Sequence, residues 1–282
     1  MDAPVISKFF PLQDPQGNPS EQKIASLCIN RPKSANAFSG EILVAIKNEL
    51  KKIAEDGSVR LLLFQSIGKH FSAGADLGWM KESAKMGYEH NFSEAQKLTD
   101  MFEQLSNMPM PTIAVVKGAA YGGAVGIVAC CDYAVALDNA QFCLSEARVG
   151  LIPAVILPYL SRKMQQGQLR RYTLSAKVFG AQEALDCGLV QAVESHETVS
   201  EWIIKEAQRI LSASPEAQLA YKNLHQVVLS NSNEQSEATC EAIAKIRATP
   251  MGQEGLASFF EKRKPSWSLE VQTGSSIFED VK

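Results

Sequence analysis

The sequence predicts an α/β protein built on parallel strands and followed by a helical C-terminal part. Three observations predict it. Residues 60–66 (RLLLFQS) form an apolar run without alternation, as in a strand covered on both faces. Strand, turn and helix signals recur in that order up to about residue 192. Beyond that point the strand signal fades and helical spacing takes over.

The elements follow in order. Residues 5–12 and 24–30 read as two strands joined by the polar turn 14–20, rich in Pro, Gly and Asn. Ser39 reads as the N-cap of a helix whose Ile42, Ala45, Ile46, Leu50 and Ile53 share one face. Residues 71–77 are small and Gly-rich, and read as a turn. Residues 93–108 read as a helix stopped by Pro109-Met110-Pro111, with a strand at 112–117. Gly122 and Gly123 open an apolar helix to about Cys131, and 132–137 is strand again. Residues 199–211, 216–229, 234–246 and 250–264 read as successive helices. Pro265 ends the last one. The expected division is an α/β core at 1–195, a helical region at 196–267 and a loose tail at 268–282.

Composition narrows the classes of function. The 282 residues are 45% hydrophobic and 21% charged, the balance of an ordinary globular protein. The net charge is -3 and no basic stripe stands out, which argues against nucleic acid as the main partner. No long uncharged apolar run suggests a membrane span. Cysteines at 28, 130, 131, 143, 187 and 240 follow no zinc spacing and read as buried, reduced thiols. The first residues resemble neither a secretory signal nor a transit peptide, so a cytoplasmic location is expected.

Three short segments carry candidate chemistry. FSAGADL (71–77) is small enough for a ligand to approach the backbone closely. GAAYGGA (118–124) follows a strand and opens a helix, whose first N–H groups have no internal partner. An oxyanion could develop there. AQFCLSE (140–146) places the Glu146 carboxylate just after a strand. Nucleotide-binding and serine-hydrolase motifs such as G-x-G-x-x-G, the P-loop and G-x-S-x-G are missing. His70, just before the Gly-rich turn, reads as a partly exposed structural histidine rather than a ligand contact, and His196 and His225 are assigned no role. Tyr121 is as readily a packing residue as a pocket wall.

NRPKSANAFS (30–39), FSAGADL (71–77), KGAAYGGAVGIVACCDYAVALDNAQF (117–142), LSEARVGLIP (144–153) and EGLASFFEKRKPSW (254–267), in this order, resemble the enoyl-CoA hydratase/isomerase family, the crotonases. The resemblance runs from about Lys23 to about Trp267. It implies a crotonase-like spiral of ββα turns and a C-terminal helical region that drives trimers, which commonly pair into hexamers. It implies an acyl-CoA substrate, with coenzyme A carried by the substrate and no further cofactor or metal. Ala75 and Gly123 would supply the two backbone N–H donors of an oxyanion hole, and Glu146 the acid/base. Lys33, Ala35, Ala73, Gly74, Asp76, Leu77 and Gly122 would cradle coenzyme A.

Two departures refine this. Typical hydratases carry a first glutamate three residues after the oxyanion glycine, and that position here is Gly126. The glycine-rich loop that often follows the second glutamate is replaced by LIPAVILPY (151–159). Together with GADLGWM (74–80), these departures resemble the methylglutaconyl-CoA hydratase-like branch, which hydrates a branched, carboxylated enoyl thioester. For the missing acid, Glu146 could do both jobs in turn, the substrate's own carboxylate could position water, or Glu82 or His90 could enter the site; Lys81, Lys85 or Arg148 could meet the substrate carboxylate. The same pattern is compatible with a dehydratase of 3-hydroxy-3-methylglutaryl thioesters, with an enoyl-CoA isomerase, and with a silent acyl-CoA-binding protein.

Overall fold

The computed structural model describes residues 3–83, 85–230 and 235–272. A seven-stranded sheet organises the first two thirds, in the order β10-β1-β2-β3-β4-β6-β9. Its members are β1 (Val5–Gln13), β2 (Pro19–Ile29), β3 (Val59–Ser66), β4 (Thr112–Val116), β6 (Tyr133–Leu137), β9 (Ala192–Glu194) and β10 (Glu270–Val271). From β2 to β9 the pairing is parallel, and β1 is antiparallel to both β2 and β10. A second sheet holds β5 (Ala119–Tyr121), β7 (Gln141–Cys143) and β8 (Phe179–Gly180).

The chain alternates between the sheets. β4 leads into β5, then α4 (Gly123–Cys130), and β6 leads into β7. Isolated bridges carry the smaller sheet's side backwards, Ser72 pairing with Ala120 and Phe38 with Ala75. Each turn thus gives one strand to the large sheet and one extended segment to the site side. This is the crotonase spiral the resemblance implies.

β3 shows why parallel strands read as unbroken apolar runs. Leu62 and Phe64 face a core with α1 (Gly40–Glu55), α3 (Tyr88–Ser106) and α4. Leu61 and Leu63 face the opposite core, closed by Val199, Ile203, Ala207 and Ile210 of α8 (Val199–Ser212). Successive strand side chains point to opposite faces, and here both faces are covered. Helix α8 therefore belongs to the core, although its sequence lies past the expected boundary at 195.

The predicted helix after Ser39 is α1, with Ile42, Ile46, Leu50 and Ile53 buried; Ser39 occupies the cap position without a side-chain cap bond. Short helices that spacing did not resolve are α2 (Leu77–Ser83), α5 (Leu157–Lys163), α6 (Gln166–Ser175) and α7 (Ala181–Asp186). The C-terminal helices are α9 (Pro215–Leu229), α10 (Gln235–Ala248) and α11 (Pro250–Phe260). Glu234, the expected start of α10, lies outside the described residues.

Helix α9 is tied back to the core by Lys222, whose Nζ lies 2.7 Å from Asp132 Oδ2. The segment read as a loose tail begins ordered, because β10 pairs with β1 and Leu269 is buried. Cys28, Cys130, Cys131, Cys143 and Cys187 are buried as expected, whereas Cys240 of α10 is exposed. No helix of the described residues is long and apolar enough to cross a membrane.

Candidate active site

The site forms where the Gly-rich turn 71–77 meets the start of α4. In the bridge to Ala75, the Phe38 N–H donates to Gly74 O (2.8 Å) and the Asp76 N–H donates to Phe38 O (2.8 Å). A parallel bridge of this pattern uses the residues flanking Ala75 and turns the Ala75 N–H to the other side. The Tyr121 N–H donates to Ser72 O (3.0 Å), drawing the same turn against β5. Gly74, at φ +95, lies so close that an added Cβ would sit 3.1 Å from Tyr121 O.

Gly122 makes the corner between β5 and α4 with φ 55 and ψ -123, a conformation that side chains disfavour. Its N–H donates to Cys143 O (2.9 Å), fastening α4 to β7. The Gly122 N–H is therefore committed to the fold. Gly123 is the first residue of α4, so its N–H has no acceptor within the helix. Among the described residues, neither the Ala75 nor the Gly123 N–H donates a hydrogen bond.

Glu146 begins a short 3-10 turn, Glu146–Val149, three residues after β7. A Cβ built on Gly122 would lie 3.4 Å from Glu146 Oε1, which places the carboxylate beside the corner. Glu146 Oε2 is buried without a hydrogen-bond partner. Burial pushes the Glu146 carboxyl above its usual range, opposed by a backbone hydrogen bond. Two unused N–H donors and one desolvated carboxylate are the groups needed to hold a developing oxyanion and move a proton.

One turn further along the same face of α4 the surroundings differ. A Cβ on Gly126 would overlap Ile156 Cγ2 and lie 2.9 Å from Phe102 Cε1. Both side chains are 1% exposed. The position that holds an acid in two-glutamate hydratases is thus apolar and full. Sequence reading found the missing acid but not the residues that fill its place. The signal available was weak, since Phe102 sits inside ordinary helical periodicity.

The residues expected to cradle coenzyme A do gather. The Ala73 N–H donates to Ala35 O (2.9 Å), bringing the turn that holds Lys33 and Ala35 against 71–77. Lys33 is exposed beside it. Asn36, overlooked in the sequence, organises this junction. Its Oδ1 accepts from the Arg31 N–H (2.8 Å) and its Nδ2 donates to Ile67 O (2.9 Å) and His70 O (2.7 Å).

The Asp76 carboxylate is occupied. Its Oδ1 accepts from the Gly78 N–H (2.9 Å), and its Oδ2 lies 3.7 Å from Arg31 Nη2. Asp76 thus starts α2, and its carboxylate is taken up within the chain. Leu77 is 74% exposed. His70 accepts at Nδ1 from the Ala119 N–H (3.1 Å), a structural role. Glu82, His90, Lys81 and Lys85 are exposed on or next to α2 and α3. Arg148 is exposed too, but shares the 3-10 turn with Glu146.

The enoyl-CoA hydratase/isomerase family model matches residues 19–270. The chain belongs to the enoyl-CoA hydratase/isomerase family. A crotonyl-CoA hydratase of Syntrophomonas wolfei is 32% identical over 88% of this chain and 95% of that protein. A 2,3-dehydroadipyl-CoA hydratase of Escherichia coli is 29% identical over 88% of this chain and 96% of that protein. The crystal structure of an enoyl-CoA hydratase from Shewanella pealeana superposes with a TM-score of 0.82 at 39% identity, covering 86% of this chain and 92% of that one. The spiral, the free N–H groups and the half-buried glutamate belong to an enzyme of this family, whose chemistry is that of acyl-CoA thioesters.

Proposed function

We propose that this enzyme adds water across the double bond of an α,β-unsaturated acyl-CoA with a branched, carboxylated acyl group such as 3-methylglutaconyl-CoA. The observation that carries the reading is the asymmetry around α4. One desolvated carboxylate, Glu146, lies beside the oxyanion corner, and the Gly126 position one turn along α4 is filled by Ile156 and Phe102. The thioester oxygen accepts from the Ala75 and Gly123 N–H groups, which stabilises the enolate. Glu146 takes a proton from water as its oxygen bonds to the β-carbon, then returns a proton to the α-carbon. The raised carboxyl of Glu146 brings its basicity closer to what both transfers need.

Support for a carboxylated acyl group comes from Arg148 on the Glu146 turn and from the relative named for 2,3-dehydroadipyl-CoA, whose acyl chain ends in a carboxyl group. The relative named for crotonyl-CoA supports a simple acyl chain instead. Assembly into trimers is supported by the apolar side chains that the C-terminal helices leave uncovered, Phe259 at 76% and Phe260 at 75% exposed.

The test compares 3-methylglutaconyl-CoA with crotonyl-CoA for the wild type and Glu146→Gln. The branched acid should be preferred, and the variant should lose about 10²- to 10⁴-fold in turnover. Crotonyl-CoA hydrated as fast as the branched acid would overturn the substrate assignment. A single acid also suits an isomerase, which shuttles one proton. Incorporation of solvent oxygen into product separates the two, since only hydration forms a carbon–oxygen bond.

A further inference from the structure

Hydration asks more of a site than one carboxylate. The attacking water must turn a lone pair to the β-carbon, which requires both of its O–H groups to be held. Glu146 can hold one. A second acid on α4 has no room, because Ile156 and Phe102 fill the place at Gly126. Burial and a backbone bond set the shift of Glu146, and among the described residues no charged side chain contributes to it. The second holder is therefore a neutral group beside Glu146.

Ser145 is such a group. It occupies the cap position of the 3-10 turn that Glu146 begins, yet its side chain makes no cap bond there. A serine at a cap ordinarily spends its hydroxyl on the N–H groups of the turn, and this one is left over. Among the described residues the Ser145 hydroxyl has no hydrogen-bond partner. Glu146 Oε2 is sealed from solvent, whereas Ser145 is half-buried and its hydroxyl keeps contact with solvent.

Both side chains meet at the Gly122 corner. A Cβ built on Gly122 would lie 3.4 Å from Glu146 Oε1 and 3.9 Å from Ser145 Oγ, the nearest side-chain oxygens beyond its chain neighbours. Glycine leaves that point empty. Gly122 is bonded directly to Gly123, whose N–H is free at the start of α4. An oxyanion donor, a carboxylate and an unused hydroxyl thus border one space.

We propose that the Ser145 hydroxyl holds the water that Glu146 activates. This rests on the hydration reading. Glu146 Oε1 accepts one O–H of the water and Ser145 Oγ accepts the other, which leaves a lone pair of the water oxygen for the β-carbon. As that carbon–oxygen bond forms, the π electrons move towards the thioester oxygen, held by the Ala75 and Gly123 N–H groups. Glu146 takes the proton it already holds and then returns a proton to the α-carbon. The second hydrogen stays on the oxygen as the product hydroxyl, so Ser145 transfers no proton.

The experiment puts the wild type, Ser145→Ala and Glu146→Gln through two assays. The first is hydration of 3-methylglutaconyl-CoA or trans-2-butenoyl-CoA, whichever the wild type turns over faster. The second is α-hydrogen exchange in D2O for the saturated counterpart, 3-methylglutaryl-CoA or butyryl-CoA. Exchange uses Glu146 and the oxyanion donors but no attacking water. Ser145→Ala should lose about tenfold or more in kcat for hydration. Its exchange rate should stay within about twofold of wild type. Glu146→Gln should lose both. Hydration that survives Ser145→Ala, or hydration and exchange that fall together, overturns the role of Ser145. A wild type that exchanges α-hydrogens but hydrates neither enoyl-CoA overturns the hydration reading itself, and the role of Ser145 with it.

Discussion

Gly123 and Gly126 are three residues apart on one helix, and their surroundings are opposite. At Gly123 a methyl group would meet nothing nearer than 3.8 Å, ordinary van der Waals distance. At Gly126 it would overlap Ile156 and press on Phe102 at 2.9 Å. One glycine therefore faces room and the other faces packed side chains. The same contrast appears in the chemistry. The Gly122–Gly123 corner has a carboxylate beside it, and Gly126 has only hydrocarbon. A sequence motif reports both positions as glycine, and only the neighbours tell a ligand site from a packing site.

The sharpest way to break this comparison is Gly126→Ala. Overpacking a close-packed interior costs roughly 1–3 kcal/mol, and Ile156 and Phe102 have no free surface to retreat to. Chemical denaturation should show a loss of that size. Pairing it with Ile156→Ala, which removes the overlapping Cγ2, should recover part of the loss, because the two changes share one space. Additive effects in that double-mutant cycle would mean that Ile156 is not what Gly126 accommodates.

A second, smaller effect concerns Glu146 and stability. Its folded-state carboxyl is raised above 4.5 by burial. Between the ordinary and the raised value the folded state holds more protons than the unfolded chain. Stability attributable to this group is therefore full below the ordinary value and falls as pH rises through the folded one. Glu146→Gln cannot ionise, so it should melt higher than wild type at about pH 8, with the gap closing at about pH 4. A gap of the same size at both values would show that burial does not govern this carboxyl. The same raised carboxyl predicts that turnover falls on the acid side at a higher pH than an exposed glutamate would give.

The fold was legible where apolar period and length agreed. β3, α1, α4 and α8 read correctly because each buries a run or a face against something specific. β5, β8 and β9 were missed, being two or three residues each, too short for any period to show. β10 was missed because its pairing with β1 joins residues at opposite ends of the chain. At the site, Glu146, Ala75 and Gly123 could be named from motif order. Asp76 could be named too, but not its capping role, which depends on where Arg31 and α2 fall. Ile156 and Phe102 come together from separate elements, so neither segment alone announces the contact.

The smallest expected effect is at Gly123 itself, and it sharpens the comparison most cleanly. Gly123→Ala adds a methyl group at ordinary contact distance from Phe38 and Phe102. The helix start is ordinary there, so the substitution needs no left-handed conformation. Alanine loses less backbone entropy than glycine on folding, which works in its favour. The net change in stability should stay within about 1 kcal/mol and lean towards a gain. The same methyl group points at Phe38 and Phe102 and not along the N–H. Short acyl groups should therefore keep their thioester contact and lose some fit beyond it. KM for trans-2-butenoyl-CoA should rise more than kcat falls. A collapse of kcat with KM unchanged would mean that the methyl group disturbs the N–H donor itself, and that side chain and donor cannot be varied separately at this position.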